Sequence, residues 1–319
     1  MRIFKITDST ATEHASLEAF VAPGACGDGF LWISMSRDEL RASLDRVQTT
    51  LQALAGTTLV DLHVADLLND QLPSHYDYTS LYDILVFRRL AADPEMKQNA
   101  AAHGAPLLRE GPPVLRRIDT RPVGFAVLER VLLSVHPEDN ALRDSYAAKL
   151  LAAGRTDGVE PPVPALDPRS VSSRLPSSPA DLMLRVINQI VDGYLDLRRQ
   201  LTRQLDDWQN ELIEPRNRFT NWGALMQARQ TLHHLDEICE DQRSAVQDWI
   251  DMLETLPAAE AARDRREREL LMVRSRDALE HIERVVHHVR RLEQNAETAV
   301  QMHFSVQSHR TNDIMRVLT

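Results

Sequence analysis

The sequence predicts an α+β protein. An N-terminal α/β domain with a small mixed sheet is followed by two long antiparallel helices and one very long final helix. Three observations predict this. Up to about residue 151, short aromatic and β-branched runs alternate with amphipathic stretches. Residues 153–179 then concentrate Gly154, Gly158, Pro161, Pro162, Pro164, Pro168 and Pro176 with several serines, a composition that favours extended chain. From residue 263 onward there is no Gly or Pro. There Ala278, Leu279, Ile282, Val286, Val289, Leu292, Ala296 and Ala299 recur mostly at steps of three and four. A helix of that extent would run on the order of 80 Å.

In chain order, Ile3, Phe4 and Ile6 predict a first strand, and residues 31–35 a second. Ser36 then caps a helix over 37–55, with Glu39 three residues on as capping-box partner. Leu40, Leu44, Val47, Leu51 and Leu54 form its apolar stripe, and Gly56 ends it. A short helix is expected over 64–68. Residues 82–90, with Ile84-Leu85-Val86-Phe87, read as a central strand buried on both faces. A strand is expected over 114–118. Residues 123–128 and 131–135 make a hairpin across Glu129-Arg130, and 137–151 a closing helix. Ser178 caps a helix over 179–213 with Pro179 in its first turn. Pro215 and Pro257 bracket the next helix, over 221–256. The domain organisation that follows is an α/β domain over 1–155, a linker over 156–178, a helical pair over 179–257 and a stalk helix over 258–319.

The stalk ends in Asn312-Asp313-Ile314-Met315-Arg316-Val317-Leu318-Thr319 with no capping residue. This run resembles the segment before the first membrane span in the CorA family of magnesium transporters. Other stretches are similar to the family too. Leu62-His63 resembles its Leu-His-Pro-Leu, with Val64 in place of the proline. The strand over 83–93 ends at Asp93, as the family strand ends at an acidic residue. The hairpin over 125–136 and the helix start over 179–194 match as well. The resemblance implies that the chain is the cytoplasmic domain of a cell inner-membrane transporter, with its spans expected beyond Thr319. It implies a pentamer with the five stalks around an axis, and transport of Mg2+, with Co2+ or Ni2+ as further candidates.

Site residues follow from the same resemblance. Arg276-Asp277-Ala278-Leu279-Glu280-His281 is similar to the family segment whose Asp binds divalent metal between subunits, which makes Asp277 a metal-ligand candidate. Asp93 is its expected partner. Hard cations favour such carboxylate oxygens. Asn312, Met315, Leu318 and Thr319 correspond to pore-lining and gate positions, where apolar rings stop ions by dewetting. From spacing alone, Asn312, Met315 and Thr319 share one helix face, which suits coiled-coil packing equally.

Composition narrows the alternatives. A net charge of −10 argues against nucleic-acid binding. Cys26 and Cys239 are far apart and form no metal spacing. There is no phosphate-cradling loop, nucleophile elbow or zinc-hydrolase helix, so the expectation is that the chain is not an enzyme. Seven histidines on the helices, including His233, His234, His281 and His288, keep a Zn2+ transporter on the same scaffold as a rival, although their expected place is polar surface. A soluble coiled-coil scaffold is the rival from another class.

Overall fold

The computed structural model describes residues 1–21, 27, 29–91, 118–138, 141–154, 175–213, 222–257 and 261–318. Two compact units emerge. The first comprises Met1–Arg89, Arg121–Ile190 and Ser244–Leu279; the second comprises Leu90–Thr120, Val191–Arg243 and Glu280–Thr319.

The sheet has seven strands: β1 (Arg2–Ile6), β2 (Ala11–His14), β3 (Phe30–Ser36), β4 (His75–Tyr78), β5 (Tyr82–Leu90), β6 (Thr120–Leu128) and β7 (Val131–His136). Their order is β2-β1-β3-β7-β6-β5-β4. β3 and β7 pair in parallel, Ile33 opposite Leu133, while β1–β3, β6–β7 and β4–β5 are antiparallel. The sheet is therefore mixed, as expected. All six residues of β7 are buried, because both faces of the central strands are covered. On one face Leu31, Ile33, Met35, Leu133, Val135, Ile84 and Val86 pack with residues of α1 (Arg37–Ala55) and α2 (Asp61–Leu68). On the other, Trp32 stacks on Phe4 at 4.8 Å and meets Tyr146 of α3 (Ala141–Ala153) edge-on at 5.9 Å.

Local chemistry sets the helix starts. Ser36 accepts from the Glu39 backbone N–H, and the Glu39 carboxylate accepts from the Ser36 N–H, so the predicted capping box closes α1. Gly56 takes φ 67° at the other end, where a Cβ would be strained. α2 begins at Asp61, three residues before its predicted start. β2 and β4 were not anticipated: Ala-Thr-Glu-His and His-Tyr-Asp-Tyr are four residues each with no aliphatic side chain beyond Ala11, and both strands sit at the sheet edges. The strand expected over 114–118 falls at 114–117 outside the described residues, and Ile118 is not in a strand.

Three long helices complete the chain: α4 (Pro179–Ile213), α5 (Trp222–Thr255) and α6 (Ala262–Leu318). Ser178 caps α4, its hydroxyl accepting from the Asp181 N–H at 3.3 Å. In the second unit, Val191, Tyr194, Leu197 and Leu201 of α4 are buried, as are Leu232, Leu235 and Ile238 of α5 and Ile282, Val286, Val289, Leu292 and Ala296 of α6. Arg229 pairs with Glu297, His233 with Glu293 and Arg290 with Asp236, so α5 and α6 run antiparallel there.

Candidate metal site on the final helix

α6 is 57 residues long, and its buried stripe decides which side chains face outward. Leu271, Ser275, Ala278 and Ile282 turn inward, leaving Arg276, Asp277 and Glu280 exposed. Asp277 is thus a solvent-facing carboxylate on a rigid helix, which suits a cation that keeps part of its water.

One turn before it on the same side of α6, Arg274 reaches inward. Its Nε lies 2.7 Å from Oδ1 of Asp181, which is fully buried near the start of α4. Arg185 contacts the second carboxylate oxygen at 3.0 Å, and the Ser177 N–H donates to that oxygen at 3.2 Å. Asp181 lies in the first turn of α4, where the helix dipole favours an anion. The Arg274 contact is close but misaligned. Asp181 Oδ1 and the Nε and Nη2 of Arg274 have no hydrogen-bond partner among the described residues. A buried donor left so costs about 1–3 kcal/mol. Burial pushes the Arg274 guanidinium pKa down, while Asp181 and, more weakly, Asp277 oppose that. Burial likewise raises the phenol pKa of Tyr146, which neighbours this group, to about 12. Beside it, the Trp249 indole of α5 donates to Ser275 at 3.0 Å.

Of the predicted site residues, Asp277 alone has a described side chain. Asp93 and Thr319 lie outside the described residues. Asn312, Met315 and Leu318 fall within the helical span of α6, and their side chains are outside the described part. No group of three or more His, Cys, Asp or Glu is placed to hold a metal ion among the described residues. No described helix is long and apolar enough to cross a membrane.

Several features were not read from the sequence. His288 is buried rather than on the surface. Arg291 donates to its Nδ1 at 2.8 Å, so Nε2–H donates to Thr202 Oγ1 at 2.6 Å. Its flanking Val285 and Leu292, three before and four after, were the available signal. His63 is also buried. Tyr82 accepts from the Val60 N–H and gives its own proton to His63 Nδ1 at 2.9 Å, leaving His63 Nε2–H for Asp77 at 3.1 Å. A groove of about 380 Å³ lies between β4 and α5, lined by Tyr76, Asp77, Tyr78, Asp248, Asp251 and Met252 among others.

The comparisons with known proteins agree with this architecture. A family model described as "CorA-like Mg2+ transporter protein" matches residues 27–319. The chain belongs to this family. No curated protein sequence matches it significantly. Among solved structures, the ZntB cytoplasmic domain from Vibrio parahaemolyticus is 13% identical over 97% of this chain and 98% of its own, with a TM-score of 0.59. The complete CorA magnesium transporter from Methanocaldococcus jannaschii is 11% identical, covers 100% of this chain with 81% of its own length, and has a TM-score of 0.64. The soluble domain of that organism's CorA is 14% identical over 93% of this chain and 97% of its own, with a TM-score of 0.50. At such identities the likeness is one of fold. This CorA-family chain therefore has the α+β architecture of the family's soluble domain, with α6 as its long final helix.

Proposed function

We propose that this chain is the cytoplasmic, metal-responsive part of a CorA-type channel-like transporter that moves Mg2+ across the inner membrane, with Co2+ or Ni2+ as further permeant ions. The observation that carries this reading is the family match across residues 27–319. It disfavours a soluble scaffold without a transport role.

In this reading the protein is a pentamer with five copies of α6 around the axis. Asp277 of one subunit and Asp93 of the next face each other across the interface. Two carboxylates so placed repel, and a divalent cation between them removes the repulsion. Metal binding then favours the closed, symmetric state, to the extent that metal binds that state better. Asn312, Met315, Leu318 and Thr319 line the pore, where apolar rings hold a hydrated cation back. The segments 1–155, 179–257 and 258–319 act as sensor, brace and stalk, joined by the linker at 156–178.

Zn2+ as the transported ion is the second reading, favoured by the histidines along α5 and α6. Titrating Mg2+ and Zn2+ into the 319-residue chain and into Asp277→Ala, while following thermal unfolding and oligomer size, tests both. The expected result is a Mg2+-dependent rise in unfolding temperature that Asp277→Ala abolishes. Equal Mg2+ responses in the two proteins would remove Asp277 from the sensor, and a response to Zn2+ alone would move the assignment to the second reading.

A further inference from the structure

Arg274 occupies an unusual position on α6. It is mostly buried, contacts Asp181 at 2.7 Å without hydrogen-bond alignment, and keeps Nε and Nη2 without a hydrogen-bond partner among the described residues. Arg185 already serves the same carboxylate. By formal charge the trio of Asp181, Arg185 and Arg274 carries one excess positive charge. Asp277 lies three residues further along the same helix, a spacing that makes the two side chains neighbours. Asp277 is therefore a second anion acting on a guanidinium that Asp181 satisfies only in part.

We propose that Arg274 is a cation shared between buried Asp181 and exposed Asp277, and that it tunes the metal affinity of Asp277 as a positioning residue rather than a ligand. This rests on the reading above that Asp277 takes a divalent cation. A metal ion on Asp277 and the guanidinium repel each other and compete for one carboxylate. Occupancy of Asp277 by metal therefore drives Arg274 toward Asp181 and tightens α6 against the start of α4. By reciprocity, whatever weakens the pull of Asp181 on Arg274 also weakens metal binding at Asp277.

The sign of this effect separates it from a merely structural role. Damage to the packing around Arg274 would lower Mg2+ affinity. Removing only its charge raises it. Mg2+ is titrated into the 319-residue chain and into Arg274→Met, Arg274→Lys and Asp277→Asn, with calorimetry reading the affinity. Arg274→Met is expected to bind Mg2+ roughly three- to tenfold more tightly. Arg274→Lys is expected to stay within about twofold of the parent, because it keeps the charge. Asp277→Asn is expected to lose the response. Should Arg274→Met fail to fold, Arg274→Gln, which retains a donor for Asp181, carries the same expectation. Unchanged or weaker binding in the neutral variants, with the response still lost in Asp277→Asn, overturns the role of Arg274 and leaves the sensor reading standing. A parent-like response in Asp277→Asn refutes the sensor reading itself, and the inference falls with it.

Discussion

Acidification should destabilise this protein through His136, and the size of the effect can be worked from its surroundings. His136 ends β7 and is 1% exposed. Its Nε2 lies 2.9 Å from the Ser134 hydroxyl, which accepts the Trp32 indole N–H at 2.8 Å. Ser134 therefore has its own proton to give, and the neutral ring accepts it. Protonating Nε2 would turn that acceptor into a donor and place a charge in a dry site. Burial first, then the positive charges of Arg143, Arg89 and Arg37, push the imidazole pKa down to about 3 from 6.5, with Asp144 opposing. The sign follows from which state takes up protons. Below pH 6.5 the unfolded chain binds a proton that the folded chain refuses. The stabilisation is therefore complete above the unfolded pKa and is lost as pH falls from 6.5 toward 3. The slope is about 1.4 kcal/mol per pH unit, or roughly 2–3 kcal/mol between about pH 6.5 and 4.5. Urea denaturation across that range, on the parent and on His136→Gln, checks it. Gln offers an acceptor to Ser134 and cannot take the charge, and carboxylate contributions cancel in the difference. The two stability curves should diverge by that amount at the acid end. Parallel curves would refute the reasoning.

Other perturbations have expected outcomes of different kinds. Asp181→Asn leaves Arg185 and Arg274 against an uncharged group in a buried site and should cost about 3–5 kcal/mol in urea unfolding at neutral pH; a loss under about 1 kcal/mol would mean that water reaches the trio. Ser36→Ala removes the α1 cap and should cost about 1 kcal/mol, with a smaller loss for Glu39→Gln, both measured by the same assay. Gly124 of β6 has no room for a side chain, since a Cβ there would sit 2.4 Å from Leu67 Cδ2 of α2; Gly124→Val should lower stability by about 1–3 kcal/mol, and Leu67→Ala in the same chain should return part of that.

Much of the fold was legible because its signals are local. Ser36 and Glu39 mark the start of α1 and Gly56 its end, each at the boundary it sets, and Pro179, Pro215 and Pro257 punctuate the sequence of the long helices. The apolar runs of β3, β5 and β7 announced strands, and that of β5 one covered on both faces. β2 and β4 carried no such signal. Edge strands such as His75-Tyr76-Asp77-Tyr78 are held by the ladder of a neighbour, here the pairing of Tyr76 with Leu85, and that partner is set by topology rather than by pattern. For the site, resemblance singled out Asp277, and the structure has it exposed on α6. Nothing in the sequence marked Arg274, because its partner Asp181 lies on a different helix.

That non-local pair bears on how α6 is held. Replacing a buried ion pair by well-packed apolar side chains is often neutral or stabilising. Stability alone is therefore a weak account of why Asp181, Arg185 and Arg274 meet in a site from which water is excluded. An apolar contact tolerates sliding, since one Leu packs about as well as the next along a stripe. An ion pair does not, because moving α6 by one turn would strand Asp181 without Arg274 and bury the guanidinium against carbon. In the first unit the trio thus specifies the register of α6 against α4, while Ala278 supplies apolar contact at the same level of the helix. On the proposed reading, a cation bound at Asp277 would act on a helix whose register this charged contact holds.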